Sequence, residues 1–276
     1  RSRFCPKLLQ RRHSVTTTSV ARRVLHGPVF ATRSRQARRE WVEGYLLMSP
    51  WLIGFFVWTI GPMIFSAVMA FMHWEVLTPP TWAGLDNFHR LATDPLFFKS
   101  LNNTAYYTFL SVPLRLIVAL AAAVVLNAPS RLMPFFRTCL YLPSVMPQVA
   151  SVILWVWIFN PSYGIANMLL RPLGIPPQMW LMDAAQVKPV LVFMSLWYVG
   201  QPMVIFLAAL QGVPESLKEA ALIDGANSTK QFWYVVIPMI SPVIFFNLVM
   251  GVINSFQSFT TVFMATGGGP NNASLF

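Results

Sequence analysis

Residues 219–242 read EAALIDGANSTKQFWYVVIPMISP, a polar island between two apolar runs of membrane length. Its internal order is specific. Glu219, Ala220 and Ala221 open with an acidic and two small residues that favour a helix. Asp224-Gly225 ends it, because glycine tolerates the left-handed angles found at helix ends. A second amphipathic stretch with Phe232, Trp233 and Val236 then runs into Pro238, where the next span is expected to begin. Helix, glycine break and helix form a knob on the membrane surface, suited to dock into another protein.

The regions around this island are those of a membrane protein. Hydrophobic residues make up 55% of the 276, and charged residues only 11%, against about 25% in soluble domains. A spanning helix needs roughly 20 mostly apolar residues. Five stretches qualify, at about 45–72, 104–126, 138–159, 188–211 and 239–263. The expected fold is therefore an all-α polytopic membrane protein with five visible transmembrane helices. Internal prolines such as Pro62, Pro113, Pro143, Pro147 and Pro202 suit a bundle with a pathway between kinked helices, since neighbours can satisfy the freed backbone groups.

The net charge of +11 is a tail and not a nucleic-acid patch. Residues 1–40 hold eleven Lys/Arg and one acid, Glu40, and the rest of the chain is nearly balanced. This segment reads as a basic, disordered cytoplasmic extension or an over-extended start, with a composition that mimics a transit peptide but lacks the apolar core of a secretory signal. Eleven cations before the first span place the N-terminus in the cytoplasm and residues 212–238 on the same side. Cys5 and Cys139 make no metal spacing and no disulfide framework, and are read as small hydrophobes.

Polar residues recur at helical steps inside two spans. Ser144, Gln148, Ser151 and Trp155 share a face of the third, and Asn247, Gly251, Asn254 and Ser258 repeat the same steps in the fifth, with Gln257 and Thr261 close by. Two readings stay open: hydrogen-bonding glue between helices, or a hydrated path whose amides and hydroxyls suit a sugar. Arg115 is the one formal charge well inside a span, and no acid lies in any span to pair with it. Such a residue is a candidate for function; it faces a water-filled cavity, pairs with a partner subunit, or binds an anionic substrate.

The island resembles the EAA loop of permease subunits in binding-protein-dependent ABC importers. It carries E-A-A, then D-G-A, then Pro238 nineteen positions after Glu219. The resemblance covers about 41–276, with the permease core at about 100–276. Trp82-Ala83-Gly84-Leu85-Asp86-Asn87-Phe88, Asp94-Pro95, Asn102-Asn103-Thr104, Asn160-Pro161-Ser162-Tyr163-Gly164 and Gly267-Gly268-Gly269-Pro270 occur in the order seen in sugar importers of the maltose and glycerol-3-phosphate type. The resemblance implies a second permease subunit, a cytoplasmic ATPase dimer, an extracytoplasmic solute-binding protein, a sugar substrate and a bacterial inner membrane location. It also implies a coupling loop at 212–238 built on Glu219, Ala220, Ala221, Asp224, Gly225 and Pro238, with Phe232 and Trp233 contacting the ATPase, bracing the fifth span or anchoring it at the interface. Related permeases enter a sixth span after the Gly-Pro turn, so the chain reads as a six-span subunit truncated before its last helix, a natural five-span form being the alternative.

No phosphate-binding Gly-rich loop, zinc spacing or nucleophile elbow is present, so no catalytic, metal or cofactor residues are expected and ATP hydrolysis belongs to a partner. A secondary transporter or channel, the rival reading, would call for acids within the spans.

Overall fold

The computed structural model describes residues 35–276, with side chains from Arg38 onward. Most of the basic tail and Cys5 lie outside the described residues. The described residues divide into two units, one ending at Asn87 and one running from Phe88 to Phe276.

In the first unit, α1 (Arg35–Phe55) passes through a five-residue π-helical stretch, Phe56–Ile60, into α2 (Gly61–Met69). Together they make one apolar helix over Arg38–Met69, long enough to cross a membrane. The π stretch has a local cause. Pro62 has no N–H and its ring would press on the carbonyl four residues back; widening the preceding turn, so that the Gly61 N–H reaches the Phe56 carbonyl, relieves that conflict. A short antiparallel hairpin of β1 (Met72–His73) and β2 (Thr81–Trp82) follows. The Asn87 Nδ2 closes it by donating to the carbonyls of Ala70 (3.0 Å) and Met72 (2.9 Å).

Helix α3 (Asp86–Thr93) leads to Asp94, whose carboxylate accepts from the Leu96 N–H at 2.8 Å and starts α4 (Pro95–Leu126). Helix α4 organises the second unit. Its Val112, Leu116, Ala119, Ala123 and Leu126 fall at steps of four and three and are all buried. The two alanines let neighbouring helices come close, as small residues do in membrane bundles. Arg137 completes the far end, donating from Nε (3.2 Å) and Nη2 (2.6 Å) to the Leu126 carbonyl.

The span expected at 138–159 is not one helix. Helix α5 (Met133–Val145) and α6 (Gln148–Ile158) meet at 100° around Met146-Pro147. Pro147 removes a helical donor and forces Met146 into an extended conformation (φ −68°, ψ 143°). Cys139 is exposed on α5 and not buried as its apolar setting suggested.

After a loop carrying the short α7 (Ile165–Leu170), α8 (Val187–Ser195) continues through a 3₁₀ turn, Leu196–Tyr198, into α9 (Gly200–Gln211) with a bend of 49°. Gly200 makes this corner possible. A Cβ there would overlap the Leu140 carbonyl oxygen and lie 2.7 Å from the Tyr141 Cα, so only glycine lets α9 rest on α5. Met203, Phe206, Leu207 and Leu210 of α9 pack with α4 and with Ile240 of the last long helix to form the main core.

Helix α10 (Glu215–Ile223) is followed by α11 (Ser228–Gln231), a π stretch at Phe232–Val236 and α12 (Ile237–Phe256). The helix is continuous over Ser228–Phe256, so Pro238 does not start a span. The π stretch repeats the arrangement before Pro62: the Ile237 N–H bonds the Phe232 carbonyl, and the proline comes next. The span expected to reach 263 ends at Phe256; α13 (Thr260–Thr266) begins a new helix after the break. Three described helices are long and apolar enough to cross a membrane without interruption, and five if each bent pair counts as one span.

Candidate functional site: a polar cavity in the helical bundle

The helix breaks open a cavity of about 640 Å³ between α4, α5, α6, α8, α9, α12 and α13. Tyr107, Ser111 and Arg115 reach it from α4 at steps of four. Ser195, Tyr198 and Gln201 reach it at steps of three, the spacing that a 3₁₀ turn brings onto one face. A second cavity of about 240 Å³ shares Arg115, Tyr198, Gln201, Met250 and Asn254 with it, and Asn247 and Gly251 line it further along α12.

Of the expected pathway residues, Ser144, Gln148, Trp155, Asn254, Gln257 and Ser258 line the larger cavity. They do not form two straight stripes. Ser144 and Gln148 lie on different helices across the bend at Pro147, and Ser258 lies in the break after α12. Gln148 Nε2 instead donates to Thr261 Oγ1 at 2.5 Å, joining α6 to α13. Ser151 is buried, turned back to the Pro147 carbonyl at 3.4 Å, and is absent from either wall. Asn247 lines only the smaller cavity, with Nδ2 donating to the Val243 carbonyl at 2.9 Å.

The walls carry unused hydrogen-bonding capacity. Arg115 Nε, Ser144 Oγ, Trp155 Nε1 and Tyr198 Oη are buried without a partner among the described residues, and all four residues line the larger cavity. Buried polar groups in proteins are nearly always paired, so four unpaired ones around one space mark a place for water or a polar ligand. Trp155 is held by aromatic neighbours: its ring stacks on Phe159 at 5.5 Å and meets Phe193 and Trp197 edge-on. Tyr107, Ser111, Ser195, Tyr198 and Gln201 were not anticipated as lining residues. The 107–111–115 and 195–198–201 spacings were the available signal.

In the polar island at 219–242, α10 ends in a Schellman motif. Asp224 is its C-cap, Gly225 takes φ +76°, the Gly225 N–H reaches the Leu222 carbonyl at 3.0 Å, and the Ala226 N–H reaches the Ala221 carbonyl at 2.9 Å. Asn227 then caps α11, its side chain accepting from the Lys230 N–H at 2.9 Å. Ala220 accepts the Asp224 N–H at 3.0 Å. Glu219 is exposed and bonds to no described residue; the local ion pair is Lys218 with Glu215 at 3.2 Å. Phe232 packs on the core around α4 and α9, whereas Trp233 is exposed. Ile223 and Tyr234 project furthest, at 87% and 80% exposed.

Residues 115–275 match the family of binding-protein-dependent transport system inner membrane components. The chain belongs to that family. A probable ABC transporter permease protein of Bacillus subtilis, YesP, is 39% identical over 88% of this chain and 80% of its own length. The lactose transport system permease protein LacF of Rhizobium radiobacter is 34% identical over 89% and 84%. The trehalose/maltose transport system permease protein MalF of Thermococcus litoralis is 31% identical over 87% and 82%. The same fold occurs in a bacterial ABC transporter that imports the acidic polysaccharide alginate, at TM-score 0.74 and 24% identity, over 87% of this chain and 82% of that one. That transporter is also known in complex with its alginate pentasaccharide-bound periplasmic protein (TM-score 0.75). This inner membrane component is thus a multi-pass permease and not itself an enzyme.

Proposed function

We propose that this permease moves a sugar or sugar-like solute into the cell through the cavity between α4, α6, α9 and α12. The observation that carries the reading is the convergence of Ser144, Trp155, Tyr198 and Arg115, each with an unpaired buried polar atom, on one space of about 640 Å³. Hydroxyls and amides that both donate and accept match sugar hydroxyls, and the Trp155 face offers a stacking surface beside them. Relatives that carry lactose and trehalose/maltose support the same substrate class.

The energy comes from a cytoplasmic ATPase dimer, and the solute from an extracytoplasmic binding protein; a second permease completes the pore. The N-terminus is cytoplasmic, and the membrane is the bacterial inner membrane. Residues 212–238 form the coupling element. Gly225 lets α10 end in its Schellman turn, and Glu219, bonded to no described residue, presents its carboxylate to the ATPase. Closure of the ATPase dimer pulls this element and rocks the bundle, a rigid-body kind of switch.

The test is uptake of labelled lactose, maltose and uronate oligosaccharides by the reconstituted importer, with and without ATP. ATP-dependent uptake that falls at least tenfold in Asn254→Leu, with basal ATPase activity retained, fits the proposal. Uptake driven by a proton or sodium gradient without ATP would replace it with a secondary transporter.

A further inference from the structure

The cavity is neutral except at one point. Among its lining residues Arg115 alone carries a formal charge, and its guanidinium makes no hydrogen bond or ion pair with any described residue. Arg115 lies eleven residues before the end of α4, roughly 16 Å along the axis at 1.5 Å per residue. That exceeds the reach of an arginine side chain, so the charge cannot snorkel to the membrane surface. It must be met inside the bundle.

The guanidinium lies against the opposite helix. A Cβ on Gly251 would lie 3.4 Å from Arg115 Nη2, an ordinary contact distance, which places the guanidinium beside α12 where the two cavities join. Around it stand Tyr198, Gln201 and Asn254, each lining both cavities. Hydroxyl and amide groups can bind a sugar ring, while a planar guanidinium is suited to a carboxylate or phosphate through paired N–H donors. A guanidinium held deep in a membrane protein without a carboxylate partner is costly, and an arriving anion offsets that cost.

We infer that Arg115 is a specificity-determining residue that receives an anionic group on the transported saccharide, so that the solute is an acidic or phosphorylated sugar and not a neutral one. This rests on the proposed sugar-importer function. Arg115 holds the anion at the junction of the two cavities, while Asn254, Gln201 and Tyr198 hold adjacent hydroxyls.

The test uses the assembled importer in proteoliposomes with three probes: trigalacturonate, its carboxyl-reduced neutral counterpart, and glycerol 3-phosphate. Binding to the assembly without its binding protein is measured alongside ATP-driven uptake, so that the delivery step does not mask the permease. The expected result is tighter binding of an anionic probe than of the neutral trisaccharide. Arg115→Gln should remove at least tenfold of that preference, and Arg115→Lys should retain part of it. Loss of preference for trigalacturonate identifies the anion as a carboxylate; loss for glycerol 3-phosphate alone identifies a phosphate. Equal binding of neutral and anionic probes by the unaltered importer would overturn the inference while leaving sugar import intact. An equal fall for all probes in Arg115→Gln would assign Arg115 a structural role and likewise overturn it. Failure to bind or import any saccharide would defeat the sugar-importer reading itself.

Discussion

Gln148 Nε2 donates to Thr261 Oγ1 at 2.5 Å, and both residues stand where a helix has just restarted. Gln148 follows the proline corner between α5 and α6, and Thr261 follows the break after α12. The bond fastens two interrupted spans along the wall of the cavity. Thr261→Val and Gln148→Met should each destabilise the assembled permease by about 1 kcal/mol. The double variant should cost little more than either single change, a coupling readable by thermal unfolding in detergent. Fully additive losses would show that the bond does not hold in the membrane protein.

Gly251 sets how closely α12 approaches α4. A Cβ there would sit 2.8 Å from Val112 Cγ1, so Gly251→Ala should cost about 1–3 kcal/mol through overpacking. Combining it with Val112→Ala removes the opposing methyl and should restore much of the melting temperature. If the second substitution gives no recovery, some other contact fixes the helix spacing.

Gly225 is strained for other residues by its backbone angle alone, since a Cβ would meet open space. Uptake should therefore follow Gly > Asn > Ala > Val at this position, with Gly225→Ala costing about 1 kcal/mol of local stability. Asparagine ranks second because it enters the left-handed region more readily. Hydrogen exchange at the Ala226 amide, bonded to the Ala221 carbonyl, reports the same order. Equal uptake in the parent and all three variants would remove the Schellman turn from the coupling role.

Glu219 gives the complementary expectation. Because no described residue bonds its side chain, Glu219→Lys should leave the stability of the isolated permease within about 0.5 kcal/mol of the parent. It should nonetheless abolish co-purification of the ATPase and ATP-driven uptake. A variant that unfolds would instead mean that the carboxylate supports the loop from within.

Asn167 is the anchor of the loop between α6 and α8. It is buried, donates to the carbonyls of Pro161 and Gln178 at 2.9 Å each, and accepts from the Gln178 N–H at 3.0 Å and Trp180 Nε1 at 2.9 Å. Asn167→Leu strands these groups and should cost about 2–3 kcal/mol. Proteolysis within residues 160–182 should accelerate, and unchanged cleavage would show that the loop is held by other means.

Much of this protein was determined by local chemistry and is legible in its sequence. Apolar runs of membrane length report the membrane-spanning helices because hydrocarbon demands continuous apolar surface. The order Glu219, Ala221, Gly225 reports the loop because a left-handed helix end is a property of a few consecutive residues. Gln148, Trp155, Asn254 and Ser258 were recognisable as inward-facing because polar groups in a span must find partners. The tertiary structure alone decided how those residues meet. Periodicity presumes an unbroken helix, so it ran Ser144 and Gln148 into one stripe across the corner at Met146-Pro147, and carried the last stripe beyond Phe256. It also counted Ser151 with the wall, although that side chain turns back to the Pro147 carbonyl. The proximity of Arg115 to Gly251, 136 positions apart, depends on how α4 packs on α12. No pattern within either helix encodes that distance, because it rests on Gly251 meeting Val112 across the two helices, and a glycine has too little side chain to mark itself.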